Sequence, residues 1–151
     1  MDIYERLIED HDRQRRFCDI LEKTEGDSDG RSEIWSKLKV ELEAHASAEE
    51  QTFYAELIQQ PEATEMGRHS IHEHQEMTKL ISNLDDKEFA NTGWLPTFKK
   101  LAHKVRHHLD EEEKEIFVVA RKVIDDSTAK ELATAFNERK PAEKQEEKKA
   151  A

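Results

Sequence analysis

His45-Ala46-Ser47-Ala48-Glu49-Glu50 and, further along, His108-Leu109-Asp110-Glu111-Glu112-Glu113 repeat one spacing in a chain that otherwise reads as amphipathic helix. An α-helix advances about 100° per residue, so a His and a carboxylate four positions apart stack on one face. Two such pairs on two helices can converge on one point, offering nitrogen and oxygen donors of the kind transition metals take.

The composition around these pairs is that of a helical domain. The 151 residues contain 39% charged residues and only 4 Gly and 3 Pro, which favours helix over strand. No stretch alternates apolar and polar residues between turn signals, so no strand is expected. A chain of this length forms one domain with a real core. Its net charge of -11 argues against nucleic acid or an anionic membrane as partner, since an acidic surface gains nothing from counterion release. No apolar run is long enough to span a bilayer, and the N-terminal residues carry no signal-peptide pattern. The 1 cysteine, Cys18, excludes an internal disulfide and a thiolate cluster and suits a reducing cytoplasm.

Punctuation divides the chain into four long helices and a short fifth. The first spans about Asp2 to Lys23 and stops at the turn Glu25-Gly26-Asp27-Ser28-Asp29-Gly30, whose residues break helices. The second runs from an N-cap at Ser32 to Gln59, before Pro61. The third covers Glu62 to Leu84, and the fourth Trp94 to Ile124, with Pro96 tolerable in its first turn. Asp125 to Thr128 offers caps for a short helix carrying Leu132, Ala133 and Phe136 on one side. Short connections between four similar helices predict an up-down-up-down four-helix bundle over residues 1–139. Residues 140–151, passing Pro141, have little to bury and read as a disordered charged tail.

The buried stripes carry unexpected residues. On the first helix the three-four pattern runs through Ile3, Leu7, His11, Gln14, Cys18 and Leu21, and on the second through Ile34, Leu38, Leu42, His45, Glu49, Phe53 and Leu57. The third offers Met66, Ser70, His74, Met77, Ile81 and Leu84; the fourth offers Phe98, Leu101, Val105, His108, Glu112, Ile116, Val119 and Val123. Each core stripe is interrupted by a His and two also by a Glu. Buried carboxylates cost several kcal/mol unless paired or bound to metal, so His11, His45, Glu49, His74, His108 and Glu112 share one explanation, a bound metal.

The other histidines fall off the stripes. His72 lies roughly 200° from His74, and His69, His103 and His107 sit away from their inward neighbours, so all four are expected at the surface. His107 with Glu111 repeats the His-x-x-x-Glu spacing, and His103 with His107 makes an i, i+4 pair, so the fourth helix has a second register. Leu101, Val105, Ile116 and Val119 continue the stripe of His108 and Glu112 and favour that one. Each of these residues also has an ordinary reading: a lone core His is usually hydrogen-bonded, and His-x-x-x-Glu can be a surface pair. Glu111, Glu113 and Glu115 read as a solvated face and Cys18 as a small core residue; Tyr4 and Tyr54 fall near the expected site or its mouth, with packing alone as their ordinary reading.

Taken together, Glu9-Asp10-His11-Asp12, His45-x-x-x-Glu49-Glu50-x-x-Phe53-Tyr54, Glu73-His74 and His107-His108-x-x-x-Glu112-Glu113-x-x-x-Phe117 resemble the hemerythrin-like, or HHE cation-binding, domain over about residues 1–124. The resemblance implies a four-helix bundle around two non-haem irons per chain, bridged by oxide or hydroxide. It makes His11, His45, His74 and His108 terminal ligands and Glu49 and Glu112 bridging carboxylates. Oxygen-carrying hemerythrins have a second His four residues from the first on the third helix, where this chain has Ser70 and Thr78. They also use His-x-x-x-x-Asp on the fourth helix, where this chain has His108-x-x-x-Glu112.

Four imidazoles and two bridging carboxylates supply four donors per metal, leaving about two positions on each octahedral iron. Such a pair is more open than the oxygen carriers' and better suited to reaction with oxygen, peroxide or nitric oxide. The expected role is binding or sensing one of these small molecules in the cytoplasm, and a sensor would need a protein partner, docked on the fifth helix. The alternative is an enzyme that decomposes peroxide, reduces nitric oxide or donates iron in iron-sulfur repair, although the repair proteins' N-terminal cysteine-bearing segment is expected to be missing. Iron storage or buffering is a third reading, and one dinuclear site stores little.

Overall fold

Asp2 opens the first helix by accepting the Glu5 N–H at 2.9 Å, the N-cap bond that satisfies an otherwise orphan donor. In the computed structural model, which describes residues 1–150 and side chains through 148, this helix α1 spans Ile3–Leu21. Helix α2 starts at Asp29, with Ser28 as N-cap accepting the Arg31 N–H at 3.1 Å. The expected cap at Ser32 is therefore corrected: Ser28 follows the turn at Gly26, whose φ of 52° suits glycine, and so meets the first free N–H groups. Helix α2 comprises Asp29–Glu49, a π-helical turn Glu50–Tyr54 and a last piece Ala55–Leu57. Helix α3 spans Thr64–Asp85. Helix α4 comprises Trp94–Glu111, a π-helical turn Glu112–Ile116 and Phe117–Val123. Helix α5 is Asp126–Ala150, and no strand occurs among the described residues.

Helix α5 departs from the expected short helix and disordered tail. It runs through Pro141, which cannot donate to the carbonyl of Asn137 and normally breaks a helix. Charge pairing, which hydropathy does not register, holds the segment down. Lys140 is 3% exposed, with its Nζ 2.8 Å from Asp10 Oδ2 of α1 and 2.7 Å from Glu41 Oε2 of α2. Gln51 donates to Glu143 at 2.8 Å, and Phe136 is fully buried. Lys140 and Glu143, expected in the tail, thus pack against the other helices, while Ala151 lies outside the described residues.

Helix α5 packs along α1 and α2, while α3 packs mainly on α4. Two apolar clusters lie at opposite ends of the helices. One gathers Ile3, Tyr4, Leu7, Phe53, Tyr54, Phe117 and Phe136; the other gathers Cys18, Leu38, Trp35, Trp94, Phe98, Leu101 and Val105. The buried polar residues lie between them along the same stripes, between Leu7 and Cys18 on α1 and between Val105 and Ile116 on α4. No described helix is long and apolar enough to cross a membrane.

Candidate metal centre

The two π turns set the geometry around the paired residues. In each, the N–H after the turn reaches back five positions, Ala55 to Glu50 and Phe117 to Glu112. One residue is thereby added to the turn, and such insertions are frequent at functional sites. Tyr54, which a straight α-helix would carry well off the Glu49 face, is brought fully inward beside Phe53. On α4 the same insertion advances the stripe by one. Phe117, Ala120 and Ile124 are buried, while Val119 and Val123, expected on the core stripe, are only partly buried.

The structure brings all six stripe residues together, each at most 7% exposed. The oxygens of Glu49 face opposite ways, Oε2 3.5 Å from His45 Nε2 and Oε1 3.3 Å from His74 Nε2. Glu112 does the same, with Oε1 3.1 Å from His11 Nε2 and Oε2 3.3 Å from His108 Nε2. Two donor sets result: His11, His45, Glu49 and Glu112 form one, and Glu49, His74 and His108 the other, with the second oxygen of Glu112 adjoining it. His69, His72 and His107 have side chains 57%, 65% and 66% exposed, and His103 is also at the surface.

Three carboxylates hold imidazoles from behind, and a fourth lies farther off. His45 Nδ1 lies 2.8 Å from Asp10, His11 Nδ1 2.7 Å from Glu113, and His108 Nδ1 2.9 Å from Glu73. His74 Nδ1 is more loosely placed, 3.7 Å from Glu50. A carboxylate at Nδ1 fixes the proton there and leaves Nε2 as a lone-pair donor, the usual arrangement behind metal-bound histidine. Glu113 is therefore not part of a solvated face, as its sequence context implied. Asp10, Glu50, Glu73 and Glu113 each adjoin a stripe residue in sequence but serve a histidine on another helix. An acid directly beside His11, Glu49, His74 and Glu112 was the available signal, although in a chain this acidic it is a weak one. Tyr54 likewise does more than pack, since its hydroxyl donates to Glu112 Oε2.

Electrostatics binds the cluster tightly. Burial disfavours charge on His45, but Glu49 and Asp10 outweigh it and raise its pKa to about 10. For His108 burial is likewise outweighed, by Glu112 and Glu73, and its pKa also reaches about 10. Burial would raise the Glu112 pKa, yet His108 and His11 hold it well below the ordinary carboxylate range. Burial, followed by Glu112 and Glu49, pushes the Tyr54 hydroxyl well above its usual value, so it stays a donor.

These residues fit metal ions. His11 Nε2, both oxygens of Glu49 and Glu112 Oε1 are buried with no hydrogen-bond partner among the described residues, a costly state unless something else binds them. His74 Nε2 and His108 Nε2 face each other at 3.1 Å, where two lone pairs repel unless a cation or proton intervenes. Donors bonded at about 2.1 Å to one ion lie roughly 3.0 to 3.4 Å apart in octahedral or tetrahedral geometry, close to the N···O separations of 3.1 to 3.5 Å. Imidazole mixed with carboxylate suits iron, zinc or manganese better than calcium.

A cavity of 340 Å³ reaches one side of this group. His45, His74 and His108 line it with Leu42, Met77, Ile81, Val105 and Leu109, while Gln14, Gln75 and Thr78 add polar groups and Glu43, Glu50 and Glu147 add carboxylates; His11, Glu49 and Glu112 do not line it.

Comparison with known proteins identifies the fold and the family. The fold is similar to the crystal structure of a hemerythrin HHE cation binding domain-containing protein from Mycobacterium kansasii, with a TM-score of 0.86 and 22% identity over 97% of this chain and 89% of that one. No curated protein matches. Residues 2–120 match the hemerythrin HHE cation binding domain, a span that takes in all six stripe residues and the four carboxylates behind them. The chain therefore belongs to the hemerythrin HHE cation-binding domain family.

Proposed function

We propose that this protein holds two iron ions in an up-down-up-down bundle of α1 to α4 and uses them to bind or sense a small diatomic or redox molecule. His11 and His45 hold one ion, His74 and His108 the other, and Glu49 and Glu112 bridge them. The observation that carries this reading is the pair of carboxylates whose two oxygens face different histidines. When bound, the irons supply open coordination positions and one-electron redox chemistry.

The side chains do the rest. Leu42, Met77, Ile81, Val105 and Leu109 give the cavity an apolar side that suits a small, weakly polar visitor. His74 and His108 both line the cavity, whereas of the other pair only His45 does, so exogenous molecules reach the His74/His108 half more fully. Tyr54 keeps its proton and donates it in a hydrogen bond to Glu112, which fixes the orientation in which that carboxylate would be shared between the ions. No histidine four residues from His74 contributes a further donor: Ser70 and Thr78 stand there, and Thr78 lines the cavity while donating to the His74 carbonyl at 3.0 Å.

Metal analysis and optical spectra of anaerobically reconstituted protein test the reading. Two irons per chain are expected, with near-ultraviolet charge-transfer absorption after air oxidation. One iron per chain, or zinc retained in the presence of excess iron, would overturn it. Stopped-flow mixing of the reduced protein with oxygen, peroxide and nitric oxide then distinguishes roles: a single stoichiometric response fits a binder or sensor, and sustained consumption of peroxide or nitric oxide makes the protein an enzyme.

A further inference from the structure

The buried centre leaves the second register of α4, His107 with Glu111, unused, and α3 carries the same spacing in His69 and Glu73. The two pairs meet across the outer α3/α4 surface. His69 Nε2 lies 3.7 Å from Glu73 Oε2 and 3.7 Å from Glu111 Oε1, while His107 Nε2 lies 3.5 Å from Glu111 Oε2. One donor atom from each of His69, Glu73 and Glu111 falls within 4.8 Å of the other two.

We propose that His69, Glu73 and Glu111, with His107 as a fourth donor, form an outer site for a divalent transition-metal ion of the zinc class, separate from the buried centre and joined to it through Glu73. The separations are too long for hydrogen bonds. They approach the roughly 3.3 Å between donors bonded at about 2.0 Å to one tetrahedral ion. Two carboxylates balance a divalent charge, and two imidazoles select zinc-class ions over calcium or magnesium, which take oxygen. Lys104, the nearby cation on α4, is engaged by Glu76 at 3.1 Å and does not neutralise the pair. Isolated i, i+4 surface pairs would satisfy each helix on its own; here Glu111 of α4 also faces His69 of α3.

Glu73 gives this site a connection that a mere surface cluster lacks. Its Oε1 holds His108 Nδ1 at 2.9 Å while its Oε2 faces His69. A cation outside therefore draws on the carboxylate that orients an inner histidine.

Calorimetric titration of Zn2+ into the iron-loaded full chain, with iron content measured on the same sample, tests the proposal. One zinc per chain is expected to bind with no loss of iron. Affinity should fall roughly tenfold or more in His69→Ala and in His107→Ala, and stay unchanged in His72→Ala, whose imidazole faces Glu76 instead. Zinc binding that is indifferent to both substitutions, iron released as zinc enters, or no binding up to millimolar zinc would each overturn it. His69 and His107 are exposed and lie outside the buried cluster, so a negative result here leaves the iron stoichiometry, which tests the inner centre, unaffected.

Discussion

At the residue scale, three histidines of the buried cluster, His11, His45 and His108, are each oriented by an acid that neighbours a different donor. Asp10 adjoins His11 but holds His45; Glu113 adjoins Glu112 but holds His11; Glu73 adjoins His74 but holds His108. The helices are thus tied together by the same bonds that fix the tautomers. Asp10→Asn and Glu113→Gln are expected to keep the fold and weaken metal binding by about 10- to 100-fold, read by competition with a chelator. His108→Ala and Glu112→Ala should each cost bound iron, whereas His107→Ala, one residue off the stripe, should leave iron content unchanged. The reverse result on metal analysis would place the inner register on His107. Thr78→His would add a donor on the cavity side of His74 and is expected to slow air oxidation of the reduced protein, measured by stopped flow.

At the scale of the elements, α5 acts on the centre through Lys140. Its ammonium sits between Asp10 and Glu41, and Asp10 in turn holds His45. Removing one partner of a buried ion pair strands the others, at about 3 to 5 kcal/mol. Arg6 bonds Asp10 at 2.8 Å and Arg13 bonds Glu41 at 2.8 Å, which puts Lys140→Ala near the lower end of that range in urea unfolding. A second contact makes the end of α5 sensitive to pH. Burial and the neighbouring Glu147 carboxylate push the Glu43 pKa up to about 8. The folded state then keeps a proton that the unfolded chain releases above its ordinary value of 4.5, so this contact loses stability as pH rises from there to about 8. Amide exchange in the last turns of α5, corrected for intrinsic rate, should accelerate over that window, and Glu43→Gln should abolish the trend.

For the whole molecule, a buried layer of histidines and carboxylates between two apolar clusters makes the fold depend on what occupies that layer. A ligand that binds only the folded state stabilises it by about 4 kcal/mol at a thousand times its dissociation constant. The iron-loaded protein is therefore expected to melt well above the chelated form in a calorimetric scan. Acid should undo both metal binding and fold. Burial would raise the Asp10 pKa, but His45 and Lys140 hold it well below the usual range; His108 above all lowers that of Glu73. Groups depressed in the folded state contribute fully above their unfolded values and are lost as pH falls through the folded ones. Protons also compete directly for the imidazole lone pairs. Circular dichroism and metal release followed downward from pH 7 should show loss of metal before loss of helix.

Helical class and the inward placement of His11, His45, Glu49, His74, His108 and Glu112 were legible in the sequence because a helix repeats its faces with a fixed local period. The spacing also supplied the family resemblance, since the motifs are short and lie within single helices. What lay between helices was not legible. The π turns at Glu50–Tyr54 and Glu112–Ile116 break the period where it was being extrapolated, so Val119 and Val123 gave way to Phe117, Ala120 and Ile124. The continuation of α5 through Lys140 escaped a reading based on apolar content because buried charge pairs, to Asp10 and Glu41, hold it. The carboxylates behind His45, His108 and His11 were hidden for a related reason: Asp10, Glu73 and Glu113 stand next to one donor but serve another, and only the packing of α1 to α4 determines which. Local periodicity fixes which way a side chain points, and tertiary packing alone decides what it meets there.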